Sequence, residues 1–397
     1  MISVGSKEMF GRASMISAAL FIVGMLGWLA SWAILDKPPW GIFVSILALF
    51  TGITQASFVI AILLRTASAK WGARLYRLTA IMALSFMPFA AIMLLIILGA
   101  RGSIIPWAAH PNDHFWYNPL FFVGRQIVYF GLFYGLTYTL FRTSHLKGPQ
   151  AVRIGNHRLL LGGLFTAVTF VLGATIFSWD LGMTLNHHYG DTIYGAYYIM
   201  TSFFGGTALT VLLMTFLNRP EGPKFFTPLH YRNLASLALA LTITCFYGWW
   251  SQFFPIWYAN IPEETNAIYL RIFSRWGLAY GLMMVLVSVV PFISLLIKRV
   301  RESVQGLSFV AVSILVGLWI QQYVYSAVPL IEDGHAADLP VVGPPNFLLT
   351  AGIAGGFFFV FLRMLERYPE AYQVPLVEEG DRAETEADYL FTQPEGW

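Results

Sequence analysis

The residues best placed to do chemistry in this chain are a few polar side chains stranded in apolar sequence. Arg125 follows Asn118-Pro119-Leu120-Phe121-Phe122-Val123-Gly124, and Asp180 closes an apolar run at Phe177-Ser178-Trp179. Ionisable groups inside a bilayer are costly and usually face the protein interior, a partner or water. A cation and a carboxylate at one level therefore have two readings. Either they form part of a site for a quinone head group or for protons, or they form an ion pair that locks two helices. In the second case, removing one partner mainly harms assembly, because the other charge is left buried and alone. His187, His188 and Asp191 follow Asp180 in a short turn. Histidine changes charge near neutral pH, so a proton relay is within chemical reach. Two adjacent loop histidines are by themselves a weak metal signal. Gln252, Arg275, Gln321 and Gln322 fall toward the same side of other apolar runs, and Thr54 and Gln55 make a mid-membrane polar spot.

The elements that must position these groups are membrane helices. Only 11% of the 397 residues are charged, against about 25% in soluble chains, so too few charges remain to cover a soluble surface. A spanning helix needs about 20 mostly apolar residues. Ten stretches qualify: 14–35, 41–64, 78–99, 119–141, 158–181, 192–217, 233–254, 273–297, 307–329 and 345–364. Backbone groups in hydrocarbon must bond within their own segment, which makes these stretches helices; the short alternating strands of a membrane barrel are missing. The expected fold is thus an all-α integral membrane protein with ten transmembrane helices.

Basic residues orient the spans. Nineteen of the 24 lie at the N-terminus, in the even-numbered loops or after the last span. The positive-inside rule makes that side, with both termini, cytoplasmic. Lys37, Arg101 and Arg271 fall on the opposite side, with Arg275 just inside the eighth span and Arg125 inside the fourth. Residues 377–395 are acidic and polar and read as part of a solvated cytoplasmic tail over 365–397. The first run is too long for a signal peptide and lacks a small-x-small cleavage site, so it reads as a retained anchor.

Several chemistries are excluded. Cys245 is the only cysteine, so a cysteine-ligated cluster, a CxxCH haem site and a disulfide framework are ruled out. All eight histidines, at 110, 114, 145, 157, 187, 188, 230 and 335, fall in loops or at span ends, whereas a b-type haem needs them within facing helices. No phosphate loop, dinucleotide fingerprint or zinc-protease motif is present. Trp107/Trp116, Trp249/Trp250 and Trp257/Tyr258 read as interfacial anchors. Gly277-x-x-x-Gly281 and Gly352-x-x-x-Gly356 suit close helix packing. Pro88 and Pro291 are candidate kinks or breaks.

Two segments carry a resemblance. Asn118-Pro119-Leu120-Phe121-Phe122-Val123-Gly124-Arg125-Gln126-Ile127-Val128-Tyr129-Phe130 resembles a helix start in the F subunit of bacterial alternative complex III. Phe177-Ser178-Trp179-Asp180-Leu181-Gly182-Met183-Thr184-Leu185-Asn186-His187-His188-Tyr189-Gly190-Asp191-Thr192-Ile193-Tyr194-Gly195 resembles that subunit's second hallmark. The chain departs from the pattern at Asn186, Tyr189 and Asp191, and His114 is the nearest candidate for the basic residue expected ahead of Asn118.

The resemblance implies membership of the polysulfide-reductase membrane-subunit (NrfD-like) superfamily. That implies two four-helix bundles, spans 2–5 and 6–9, flanked by spans 1 and 10. It implies a quinol, menaquinol or another, oxidised by the complex, with electrons passing to a cytochrome c or a similar carrier. The implied partners are a paralogous membrane subunit, a periplasmic iron–sulfur subunit, multihaem and monohaem cytochrome c subunits and small membrane subunits. Haem c and iron–sulfur clusters belong to those partners, and this chain binds no cofactor covalently. Its implied role is assembly, quinol access and proton transfer in the bacterial cytoplasmic membrane. A secondary transporter, or a pure anchor for periplasmic redox subunits, stands as the alternative; a transporter would show inverted repeats and interrupted helices around a midplane site.

Overall fold

A computed structural model describes residues 4–109, 115–145, 149–186, 189–218 and 225–372. Among them the chain is helical, without strands, and ten helices are long and apolar enough to cross a membrane. These are α1 (Val4–Ser31), α2 (Trp40–Thr66), α3 (Ala73–Gly99), α4 (Pro119–Thr143), α5 (Pro149–Asp180), α6 (Tyr194–Leu217), α7 (Pro228–Ala259), α8 (Gly277–Leu296), α9 (Val304–Glu332) and α10 (Pro344–Arg367). All ten expected spans are present, and most helices run a few residues longer at the loop ends. The chain is therefore an all-α, multi-pass membrane protein.

The helices form two rings of four. In one, α2, α3, α4 and α5 pack each on the next, with α5 returning to α2; in the other α6, α7, α8 and α9 close the same way. The rings meet where α2 packs on α6 and on the end of α9, and α5 on α6. Helix α2 is consequently buried almost throughout. Thr54 donates to Phe50 O at 2.6 Å within the helix, and Ser57 donates to Ile53 O at 2.7 Å and to Gly206 O of α6 at 3.1 Å.

Helices α1 and α10 pair outside the rings, with α10 also against α3. The pairing depends on glycine. A Cβ on Gly24 would lie 2.4 Å from Leu348 O and 2.5 Å from the Gly352 Cα, so the two backbones touch. The Gly352/Gly356 spacing thus does the packing expected of it. The Gly277/Gly281 spacing does not, because nothing lies within 4 Å of a Cβ at Gly281.

The two faces of the bundle are fixed by contacts between loops. On the basic-rich face Arg74 Nη1 donates to Phe225 O at 3.0 Å, and Arg77 donates to Ser144 O. On the basic-poor face Lys37 Nζ donates to Gly334 O at 2.7 Å, tying the first loop to the ninth. Here an additional short helix, Pro262–Ile272, precedes α8.

Prolines mark two irregular turns. Pro88 sits inside an unbroken α3. Helix α8 opens into a wider π turn at Val285–Val289, just before Pro291, and α9 does so at Tyr323–Ala327, just before Pro329. A proline offers no N–H to the carbonyl four residues back, and the wider turn lets that stretch of backbone re-pair. His110, His114, His187, His188 and the acidic tail at 377–395 lie outside the described residues.

Candidate functional site

The basic-poor face holds two polar regions, one per ring. In the first, the start of α4 is set by its own sequence. Asn118 Oδ1 accepts from the Leu120 and Phe121 N–H groups at 2.9 and 3.2 Å, and Pro119 follows where a helix has no use for an N–H. Six residues on, about 9 Å into the helix, Arg125 faces the last residue of α5. Arg125 Nε donates to Asp180 Oδ2 at 2.7 Å and Nη2 to Oδ1 at 2.6 Å. Gln126 Nε2 adds a bond to Oδ2 at 2.7 Å, and Arg125 Nη1 donates to Trp116 O at 2.9 Å. The Trp116 ring covers the guanidinium at 4.1 Å. Both side chains are buried. Trp116 is therefore a lid on this pair as well as a surface aromatic. One turn further, Tyr129 donates to Gln55 Oε1, leaving Gln55 Nε2 and Gln126 Oε1 buried without partners.

The second region lies at the basic-poor end of α7, α8 and α9. Its centre is Arg271, in the last turn of the short helix before α8. That helix buries Ala267, Ile268 and Arg271 on one side, the i, i+1, i+4 register of a core-facing stripe. Arg271 is only 6% exposed, its guanidinium lies 4.2 Å from the Tyr325 ring and 4.8 Å from Tyr189, and its Nε has no partner. Among the described residues no carboxylate forms an ion pair with it.

The nearest acid in the network is one step away. Tyr189 donates to Asp191 Oδ2 at 3.3 Å, while Asp191 Oδ1 accepts from Ile193 N at 2.9 Å in the turn that starts α6. Burial pushes the Asp191 carboxyl above its ordinary value and the Tyr189 hydroxyl up to about 12. Arg271 lines a cavity of about 20 Å³, together with Gln252, Trp249, Tyr280 and Tyr325. That volume admits one oxygen-sized group. Gln252 is 5% exposed, and its Nε2 is also without a partner. Two buried donors, one of them charged, thus line a cavity among aromatic rings. An unsatisfied buried donor is worth about 1–3 kcal/mol to whatever oxygen satisfies it, and more when charged.

The remaining expected residues distribute around these two centres. Gln321 Oε1 accepts from Tyr197 O–H at 3.1 Å, and the Tyr197 ring is 6.0 Å from Tyr325, so Gln321 borders the second region. Arg275 corrects an expectation: it lies in the turn before α8, not inside that helix. There it is 53% exposed and pairs with Glu332 at 2.9 Å and Asp338 at 2.8 Å. The short helix stops at Ile272, so Arg275 leaves the register that turns Arg271 inward. The helix-register argument for Arg271 was readable in the sequence, but the residue looked like one more loop cation. Arg125 and Asp180 come together as a buried ion pair, Gln252 and Asp191 join the Arg271 region, and His187 and His188 lie outside the described residues. No protein-family model matches the chain, and no curated protein matches it.

Proposed function

We propose that this protein is an integral membrane subunit of a quinol-oxidising electron-transport complex of the alternative complex III type. In this reading it sits in the bacterial cytoplasmic membrane with both termini cytoplasmic, and the basic-poor face is periplasmic. Its partners are the paralogous membrane subunit and the periplasmic iron–sulfur and cytochrome c subunits. The motif resemblance around Arg125 and Asp180 supports the family, and the two rings of four helices agree with it.

The observation that carries the function is the Arg271 cavity. A quinol or quinone presents oxygen atoms on a flat ring. Arg271 and Gln252 are placed to donate to one such oxygen, with the ring resting on the aromatic mouth. Oxidation of a quinol releases two electrons and two protons. The electrons go to the metal centres of the partner subunits; Asp191, reached through the Tyr189 hydroxyl, is positioned to carry a proton toward the periplasm. The Arg125–Asp180 pair then holds α4 to α5 and serves assembly.

Purification in mild detergent with haem staining tests the assignment. A multihaem cytochrome c and a large iron–sulfur protein should accompany the chain, and isolation as a lone homodimer would refute it. In the assembled complex Arg271→Leu should lower quinol oxidation at least about tenfold, a loss near 1.4 kcal/mol. An unchanged rate with unchanged KM would remove the proposed site.

A further inference from the structure

Most of the lipid-facing surface is aliphatic. On α1, for example, Ile16, Leu20, Val23 and Leu26 are exposed. Helix α7 differs. Its exposed face carries Phe246, Trp250, Phe254 and Trp257 at 44–48% exposure. Two parallel stacks climb this face at i, i+4 spacing, with Phe246 tilted at 38° against Trp249 at their foot. Trp249 lies on Phe253 at 5.4 Å and 14°, and Phe253 on Trp257 at 5.7 Å and 18°. Beside them Trp250 lies on Phe254 at 5.5 Å and 21°.

Interfacial anchoring accounts for only the top of this ladder. Aromatic belts sit at head-group level. At 1.5 Å per residue, Phe246 and Trp250 lie only about 4 and 10 Å from the midpoint of α7, inside the half-thickness of about 15 Å of a hydrocarbon core. Aromatic rings in that zone have no head groups to meet. Their neighbours Trp249 and Phe253 belong both to the ladder and to the wall around Arg271 and Gln252. The cavity holds one oxygen-sized group, so the rest of any ligand must lie outside it, along this wall.

We infer that the aromatic ladder of α7 is the seat of the ligand's long hydrocarbon tail, and that the ligand enters sideways from the lipid. This rests on the quinol reading above and narrows it to long-chain isoprenoid quinols. The polar oxygen enters between Arg271 and Gln252, and the tail runs along the exposed edges of the stacked rings toward the membrane middle.

The test is photolabelling of the assembled complex in lipid nanodiscs. The probe is a menaquinone analogue with a diazirine in its second isoprene unit, and a tail-less naphthoquinone is the competitor. Label should appear on the peptide containing 246–258. It should fall about tenfold with excess competitor, and likewise with Arg271→Leu. A Trp250→Leu/Phe254→Leu double variant should keep its full subunit composition but lose most of the label. Three results would overturn the inference: label on α7 that resists the competitor, which is bulk-lipid contact; competitor-sensitive label elsewhere; or loss of partner subunits from the double variant, which would make the ladder a protein docking face. If the tail-less quinone binds neither wild type nor Arg271→Leu, the quinol reading itself falls, and the tail seat falls with it.

Discussion

Arg125 and Arg271 are two buried arginines at the same face of the protein, one in each helix ring, and their surroundings are opposite. Arg125 meets a carboxylate through two bonds, a carbonyl through a third, and a tryptophan lid. Arg271 meets tyrosine faces, a cavity and an amide that is itself unpartnered. The first arrangement engages all three guanidinium nitrogens and neutralises the charge, which favours a structural role. The second keeps bonding capacity in reserve. A buried cation therefore says little about function until its partners are counted.

Several measurements bear on that contrast. The largest effect belongs to Asp180→Ala, which strands the Arg125 charge and should cost about 3–5 kcal/mol, read as lost assembly or a lowered Tm in detergent. The paired change Arg125→Leu/Asp180→Leu should recover most of that loss, since apolar residues often replace a buried pair at little cost; a single variant as stable as wild type would show that the fork locks nothing. Arg271→Leu should behave in the opposite way. It removes a buried charge that pairs with no carboxylate among the described residues, so thermal stability should stay within about 1 kcal/mol of wild type or rise, while quinol oxidation drops. A collapse in stability instead would make Arg271 a structural residue like Arg125.

Asp191 offers a finer probe. Burial raises its pKa, so folding favours the protonated carboxyl. That contribution is complete below the ordinary carboxylate value of about 3.9 and is lost as pH rises through the raised value. Asp191→Asn does not titrate, so its Tm should gain on that of wild type as pH increases across this window; parallel Tm curves would contradict the burial. The smallest effect is expected from Arg275→Ala. Its acid partners are 35% and 61% exposed and it is itself 53% exposed, so the change should be below about 1 kcal/mol, measured by the same thermal unfolding.

Much of the scaffold was legible because its causes are local. Length and hydropathy determine a spanning helix, and Asn118-Pro119 announces the start of α4 in two residues. Arg125 and Asp180 could be paired from their depths alone, although depth could not decide between a lock and a site. What favours the lock is Gln126 and the Trp116 lid, whose contacts depend on how α4, α5 and the preceding loop meet. Gln252 could be placed on the buried stripe of α7 with Thr242, Cys245, Gly248 and Ile256. Arg271 could not be recognised as easily, since the sequence puts it in a loop and Arg275, four residues later, just inside the next span. Only the end of the short helix at Ile272 separates the two. Tyr189 and Tyr325 meet Arg271 from distant parts of the chain, and no spacing rule links them.

The wide turn at Tyr323–Ala327 sets side-chain direction within α9. Each residue in a regular helix advances about 100° around the axis, and a π turn adds one residue to its circuit. Deleting Ser326 would let the backbone close as an ordinary helix without shortening its reach across the bilayer by more than about 1.5 Å. The segments on either side would keep their relative phase, because a circuit that loses its surplus residue is an ordinary turn. The change would fall inside the turn, on Tyr323, which donates to Leu339 O, and on Tyr325, whose ring faces Arg271. One surplus residue thus sets the directions in which these two side chains leave the helix.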